Sequence, residues 1–167
     1  MRLIITTVLL LLIRISFAQE SVSSIGLRAG GGSGFAFKYV ENQRHGIEGI
    51  ISYRDNGFQL TGLWLKYEPF RTDRIRNFYF FGGFGAHAGY IRAKNQFCVR
   101  QDGNCVFVED RNTKVVGGLD GIVGFEYYFY TVPLAVSFDY KPYAEFFGEE
   151  FFRVDFWNFG LSIRYTF

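Results

Sequence analysis

Large apolar residues alternate with small or polar ones along most of the chain, and the pattern is cleanest in the last eleven residues, Trp157 to Phe167. Every odd position there (Trp157, Phe159, Leu161, Ile163, Tyr165, Phe167) is large and apolar or aromatic. Every even one (Asn158, Gly160, Ser162, Arg164, Thr166) is polar or small. A period of two marks a β-strand with two unlike faces. A half-buried strand of a soluble protein carries long charged residues on its polar face, whereas here that face is mostly small and the apolar face is continuous and aromatic-ended. That arrangement predicts a lipid-facing strand. Ten steps of roughly 3.3 Å at a tilt of about 40° cover roughly 25 Å, the height of the apolar band of a membrane barrel.

The same pattern predicts seven further strands. Ile25–Ala29 and Phe35–Tyr39 flank a Gly30–Gly34 run that reads as a hairpin, with one glycine-bent strand as the competing reading. Strand three carries Ile47, Gly49, Ile51 and Tyr53 on one face and Glu48, Ile50, Ser52 and Arg54 on the other, and ends at the hairpin signal Asp55-Asn56-Gly57. Strand four, from Phe58 to about Tyr67, alternates poorly because Leu63 and Leu65 fall on the otherwise polar face; a bulge is expected there. Strand five sends Phe78, Phe80, Phe84 and Tyr90 outward and Gly83, Gly85, His87 and Gly89 inward. A polar connection from Arg92 to Thr113 leads to strand six, Lys114 to Tyr130. Strand seven ends near Lys141, and a loop from Pro142 to about Glu150 precedes strand eight. The expectation is an all-β, eight-stranded antiparallel up-and-down transmembrane barrel.

Composition narrows the class further. Arg2, the apolar run Leu3–Ile13 and Ser16-Phe17-Ala18 read as a signal peptide over residues 1–18, leaving one domain, 19–167. Aromatic content of 20% with no later apolar run of membrane-helix length separates a barrel from a helical membrane protein. A net charge of +2 does not point to a partner, and an exported chain with mixed charges and no basic cluster is not expected to bind nucleic acid.

The terminal run Asn158-x-Gly160-x-x-Ile163-x-Tyr165-x-Phe167 resembles the C-terminal signal by which Gram-negative outer-membrane barrels are handed to their assembly machinery. The whole chain is similar to the small OmpX/OmpA-type barrel family. That resemblance implies location in the outer membrane, contact with its lipid and lipopolysaccharide, and a role in envelope integrity, adhesion or interaction with envelope or host partners. It brings no catalytic motif and no cofactor.

Three constellations are candidates for chemistry. The predicted inner face carries Arg28, Lys38, Arg54, Lys141 and Arg164 against Glu48, Asp120, Glu126 and Asp139. Charges withdrawn from water persist when paired, so these read as an ion-pair ladder filling the lumen, with a proton or ion path as the alternative. Eight strands leave an interior just wide enough for side chains, which disfavours an open pore. Cys98 and Cys105 bracket an Asp-Gly turn and read as a disulfide stiffening the 92–113 connection, a surface for an extracellular protein or glycan. Two cysteines without a nearby histidine do not make a metal site. A lipid A-modifying enzyme would need a nucleophile and base together on the outer face, but His45 falls in a turn and His87 faces inward with Ser52, Ser137 and Ser162. A secreted lipocalin-like carrier would need an apolar lumen and a polar exterior, the reverse of this pattern.

Overall fold

The computed structural model describes the backbone of residues 21–54, 56–70, 77–101, 104–147 and 152–167, and the side chains of these residues other than 93–112. The expected signal peptide lies outside the described residues. Among the described residues ten strands form: β1 (Ser21–Gly30), β2 (Ser33–Glu41), β3 (His45–Arg54), β4 (Gly57–Pro69), β5 (Phe78–Gln101), β6 (Asn104–Tyr128), β7 (Leu134–Tyr140), β8 (Tyr143–Phe147), β9 (Arg153–Asp155) and β10 (Phe159–Thr166). Antiparallel ladders run from β1 through β2, β3, β4, β5, β6 and β7 to β10, and β10 pairs back with β1. The sheet is a closed barrel. β7 with β8 make one wall strand and β9 with β10 another, so the barrel has eight. The Gly30–Gly34 run is a hairpin: β1 ends at Gly30, whose φ of 142° suits glycine, and β2 starts at Ser33.

Burial alternates along the walls, most strictly in β3 and β4. In β4 the inward residues are Gly57, Gln59, Thr61, Leu63, Leu65 and Tyr67, and the outward ones, Phe58, Leu60, Gly62, Trp64 and Lys66, are exposed. Both of its ladders keep an unbroken register. The bulge expected in β4 is therefore absent. Leu63 and Leu65 point inward because that side of the lumen is apolar: they pack with Ala36, Val40, Ile50, Tyr67, Phe81 and Ile122. The outside is apolar too. Leu27, Phe35, Ile51, Leu60, Phe84, Leu119, Phe138, Leu161 and Ile163 are all exposed, forming a belt around the barrel. A water-soluble domain does not spread large apolar side chains over its entire girth.

Two expected loops are strand instead. The connection 92–113 continues the β5–β6 ladder out to Gln101↔Asn104, a two-stranded ribbon. Its eleven rungs from Ile91↔Lys114 extend about 35 Å beyond the wall at roughly 3.3 Å per residue. Along it Cys98 pairs with Phe107 and Cys105 with Arg100, so the cysteines stand on diagonal rungs; their side chains, and hence the expected disulfide, lie outside the described residues.

The expected loop after Pro142 is the second. β7 pairs with β6 in the register Val123↔Tyr140, and β8 resumes that register at Asp120↔Tyr143. Between them Gly121 donates its N–H to the Pro142 carbonyl at 2.9 Å. Proline lacks only its own donor, so the wall passes through it. The pairing of β10 with β7 (Phe159↔Tyr140) is one residue out of step with that of β9 with β8 (Asp155↔Tyr143), which marks a bulge at 156–158.

Candidate functional site

The lumen is the chemically distinctive region, and its charges fall into three layers. Nearest the end that carries the chain terminus, neighbouring strands deliver Lys38 of β2, Glu48 of β3, Glu126 of β6 and Arg164 of β10. All four are buried. Lys38 Nζ lies 3.4 Å from Glu48 Oε2 and 3.3 Å from Glu126 Oε2. Arg164 donates to Glu48 Oε1 at 3.0 Å, Glu126 Oε1 at 2.7 Å and Ser137 Oγ at 2.6 Å. The Tyr67 hydroxyl donates to Glu126 Oε2 at 2.9 Å. Two cations face two carboxylates, so the layer is neutral. Lys38 Nζ also sits 4.4 Å from the centre of the Phe81 ring, joining the ionic layer to the apolar side of the lumen.

The middle layer is a single pair. Arg28 of β1 grips Asp139 of β7 through Nε and Nη2, and its Nη1 donates to the Gly32 carbonyl at 3.2 Å. Space for the guanidinium comes from Gly160, where a Cβ would collide with it. Gly160 thus has a local structural use besides its place in the terminal motif. Of the other motif residues, Asn158 is buried and accepts the Lys141 N–H at its carbonyl, 2.7 Å away. Ile163, Tyr165 and Phe167 are exposed on the outer face.

The third layer, toward the ribbon, joins six elements. Lys141, at the end of β7, donates to Asp120 Oδ1 of β6 at 2.7 Å. His87 of β5 places Nδ1 2.7 Å from Asp120 Oδ2. Arg54 of β3 donates to Glu145 Oε1 of β8 at 2.8 Å and to Gln59 Oε1 of β4 at 3.3 Å. The Tyr143 ring stands 4.7 Å beneath the Arg54 guanidinium.

All nine charged residues singled out on the inner face thus line the lumen, each within ion-pair distance of an opposite charge. Sequence reasoning missed Glu145 and Tyr143, and left His87 outside the network. Their signal was present: Ala135, Ser137, Asp139, Lys141, Tyr143 and Glu145 follow one another at period two, and all are buried. The side chains from 93 to 112 lie outside the described residues, so no surface is assigned on the ribbon. Among the described residues, no group of three or more His, Cys, Asp or Glu is placed to hold a metal ion.

No family model matches the chain, and no curated protein does. Among solved structures, the chain is similar to the N-terminal β-barrel domain of Pseudomonas aeruginosa OprF, at 15% identity and a TM-score of 0.49, covering 89% of this chain and 98% of that one.

Proposed function

We propose that this chain is an integral outer-membrane protein of a Gram-negative bacterium. In this reading the closed barrel spans the bilayer, a packed lumen excludes solute flow, and the ribbon and the hairpin after β8 meet the outside. Its role is then structural in the envelope or interactive at the surface, not enzymatic. The observation that carries the reading is inverted polarity: an outer belt of large apolar residues around an interior that, among the described residues, holds ten ion-paired charges, five of each sign. Hydrocarbon is the solvent that makes such an exterior stable. With an even strand number both termini lie on one side, and export through residues 1–18 makes that side periplasmic. The terminal Asn158–Phe167 motif would serve recognition by the assembly machinery, and the 92–113 ribbon, stiffened by a Cys98–Cys105 bridge, contact with a protein or glycan.

A lipid A-modifying activity finds little support. Ser52, Ser137, Ser162 and His87 are buried in the lumen, and His45 stacks on Trp64. A carrier would need an apolar cavity where the ion pairs stand.

The test is expression in a Gram-negative host, followed by membrane fractionation and gel mobility with and without boiling and reductant. Recovery in the outer membrane, with mobility that changes on boiling, is the expected result, and a reductant-dependent shift is expected from the bridge. Recovery as a soluble periplasmic protein would overturn the reading.

A further inference from the structure

The third layer holds a histidine between two carboxylates. His87 Nδ1 is 2.7 Å from Asp120 Oδ2, and Nε2 is 3.5 Å from Glu145 Oε1. The ring is buried, packs edge-on against Tyr143 with centroids 5.5 Å apart, and Nε2 has no hydrogen-bond partner. A neutral imidazole has one N–H and one lone pair. Either tautomer can therefore donate to one carboxylate while turning its lone pair toward the other. An imidazolium donates to both.

We propose that protonation of His87 fastens β8 to the barrel wall, making the ribbon-side mouth of the barrel a latch that is tighter in acid than above neutrality.

The groups packed around the ring fix the sign. On the β6 side Asp120 keeps Lys141, of the β7 end, as a partner at 2.7 Å whatever the state of the histidine. On β8, Glu145 keeps Arg54 of β3 at 2.8 Å. Tyr143 of β8 directs its hydroxyl to Asp155 of β9 at 2.9 Å, and the β4 rung partner of His87 is the neutral Thr61. Neither carboxylate is abandoned when the ring loses its proton. The short 2.7 Å contact to Asp120 keeps the neutral ring's one proton on Nδ1, so what changes is the link between β5 and β8: attractive with the second N–H of the imidazolium at Nε2, repulsive with a lone pair there.

β8 is the element most open to such control. It is short, its ladder to β6 shifts register between Gly117 and Gly118, and it leads into the hairpin with β9. Histidine is the side chain whose charge ordinarily changes between pH 5 and 8. One charge-assisted hydrogen bond shifts an opening equilibrium by roughly tenfold or more. On the topology proposed above, this mouth faces the medium, so the latch responds to external acidity; the latch itself requires only the barrel.

Hydrogen exchange on the refolded mature chain tests this, comparing amide protection in Tyr143–Phe147 at pH 5.5 and 8.0 after correction for intrinsic exchange rates. Wild type and the control His45→Gln should gain about tenfold protection in acid in this segment. His87→Gln and Glu145→Gln should gain none. Equal protection at the two pH values in wild type would overturn the proposal, as would a gain that survives in His87→Gln. If His87→Gln does not refold, Glu145→Gln decides: it removes the acceptor charge from the other side, and an acid gain persisting there is equally fatal.

Discussion

Removing the cation at the centre of the layer nearest the chain terminus should destabilise the barrel strongly, and removing a carboxylate with it should undo much of the harm. Arg164 is 1% exposed and bonds to Glu48, Glu126 and Ser137. Arg164→Met keeps most of the side-chain volume but leaves Glu48 and Glu126 to share Lys38, at 3.4 and 3.3 Å. The layer then carries one uncompensated negative charge out of reach of water. Breaking a buried pair in this way costs about 3–5 kcal/mol. Adding Glu126→Gln restores neutrality, with Lys38 against Glu48, and the Tyr67 hydroxyl can still donate to the new amide oxygen. The double variant should recover at least about 2 kcal/mol, a coupling of the size expected for contacting groups. Equilibrium urea unfolding in lipid vesicles, followed by the emission of the outward-facing Trp64 and Trp157, measures both. A loss below about 1 kcal/mol for Arg164→Met, or a double variant weaker than the single, would refute the reasoning.

The same assay checks three further substitutions. Gly160→Ala drives a Cβ into the Arg28 guanidinium and should lose about 1–3 kcal/mol, whereas Gly62→Ala, with nothing near the new carbon, should change stability by less than about 0.5 kcal/mol. Leu65→Ala, wholly buried on the apolar side of the lumen, should cost about 2–5 kcal/mol through the cavity it leaves. Ile51→Arg, on the outer belt, should cost up to about 2–4 kcal/mol in a bilayer; a neutral outcome would mean that this face meets water.

Strand number, inward and outward faces, and the Gly30–Gly34 hairpin were all legible from alternation, because the two faces of most strands differ sharply in polarity. Legibility failed where that contrast vanished. Leu63 and Leu65 look like errors in β4 only if the lumen is assumed to be polar throughout. It is polar toward β1, β7 and β10 and at the ribbon end, where Gln59, Thr61 and His87 stand, but apolar along the terminus-side half of β4 and β5, so an apolar residue can belong on either face. At Pro142 the sequence signal for a break outweighed the continuing alternation through Tyr143 and Glu145, and two residues of the third layer were lost to an expected loop. Of the ribbon only a tip around Cys98 and Cys105 was legible, and its length was missed for a different reason: polar residues on a two-stranded hairpin have no core to face, so they carry no alternation to read. The charged lining itself was legible residue by residue, and counting along each strand from its terminus-side end sets Lys38, Glu48, Glu126 and Arg164 at one level, where they pair. The same count sets Asp120 level with Arg28 and Asp139, but the ladder registers carry it to Lys141 and His87 instead.

The central claim is that the exterior of this barrel faces hydrocarbon, and site-directed spin labelling along β4 in lipid vesicles tests it most directly. Labels at Phe58, Leu60, Gly62 and Trp64 should collide readily with dissolved oxygen and rarely with a water-soluble nickel chelate. Labels at Gln59, Thr61, Leu63 and Leu65 should be shielded from both, giving a period-two profile along the strand. Frequent nickel collisions at Leu60 and Gly62 would put that face in water and contradict the account.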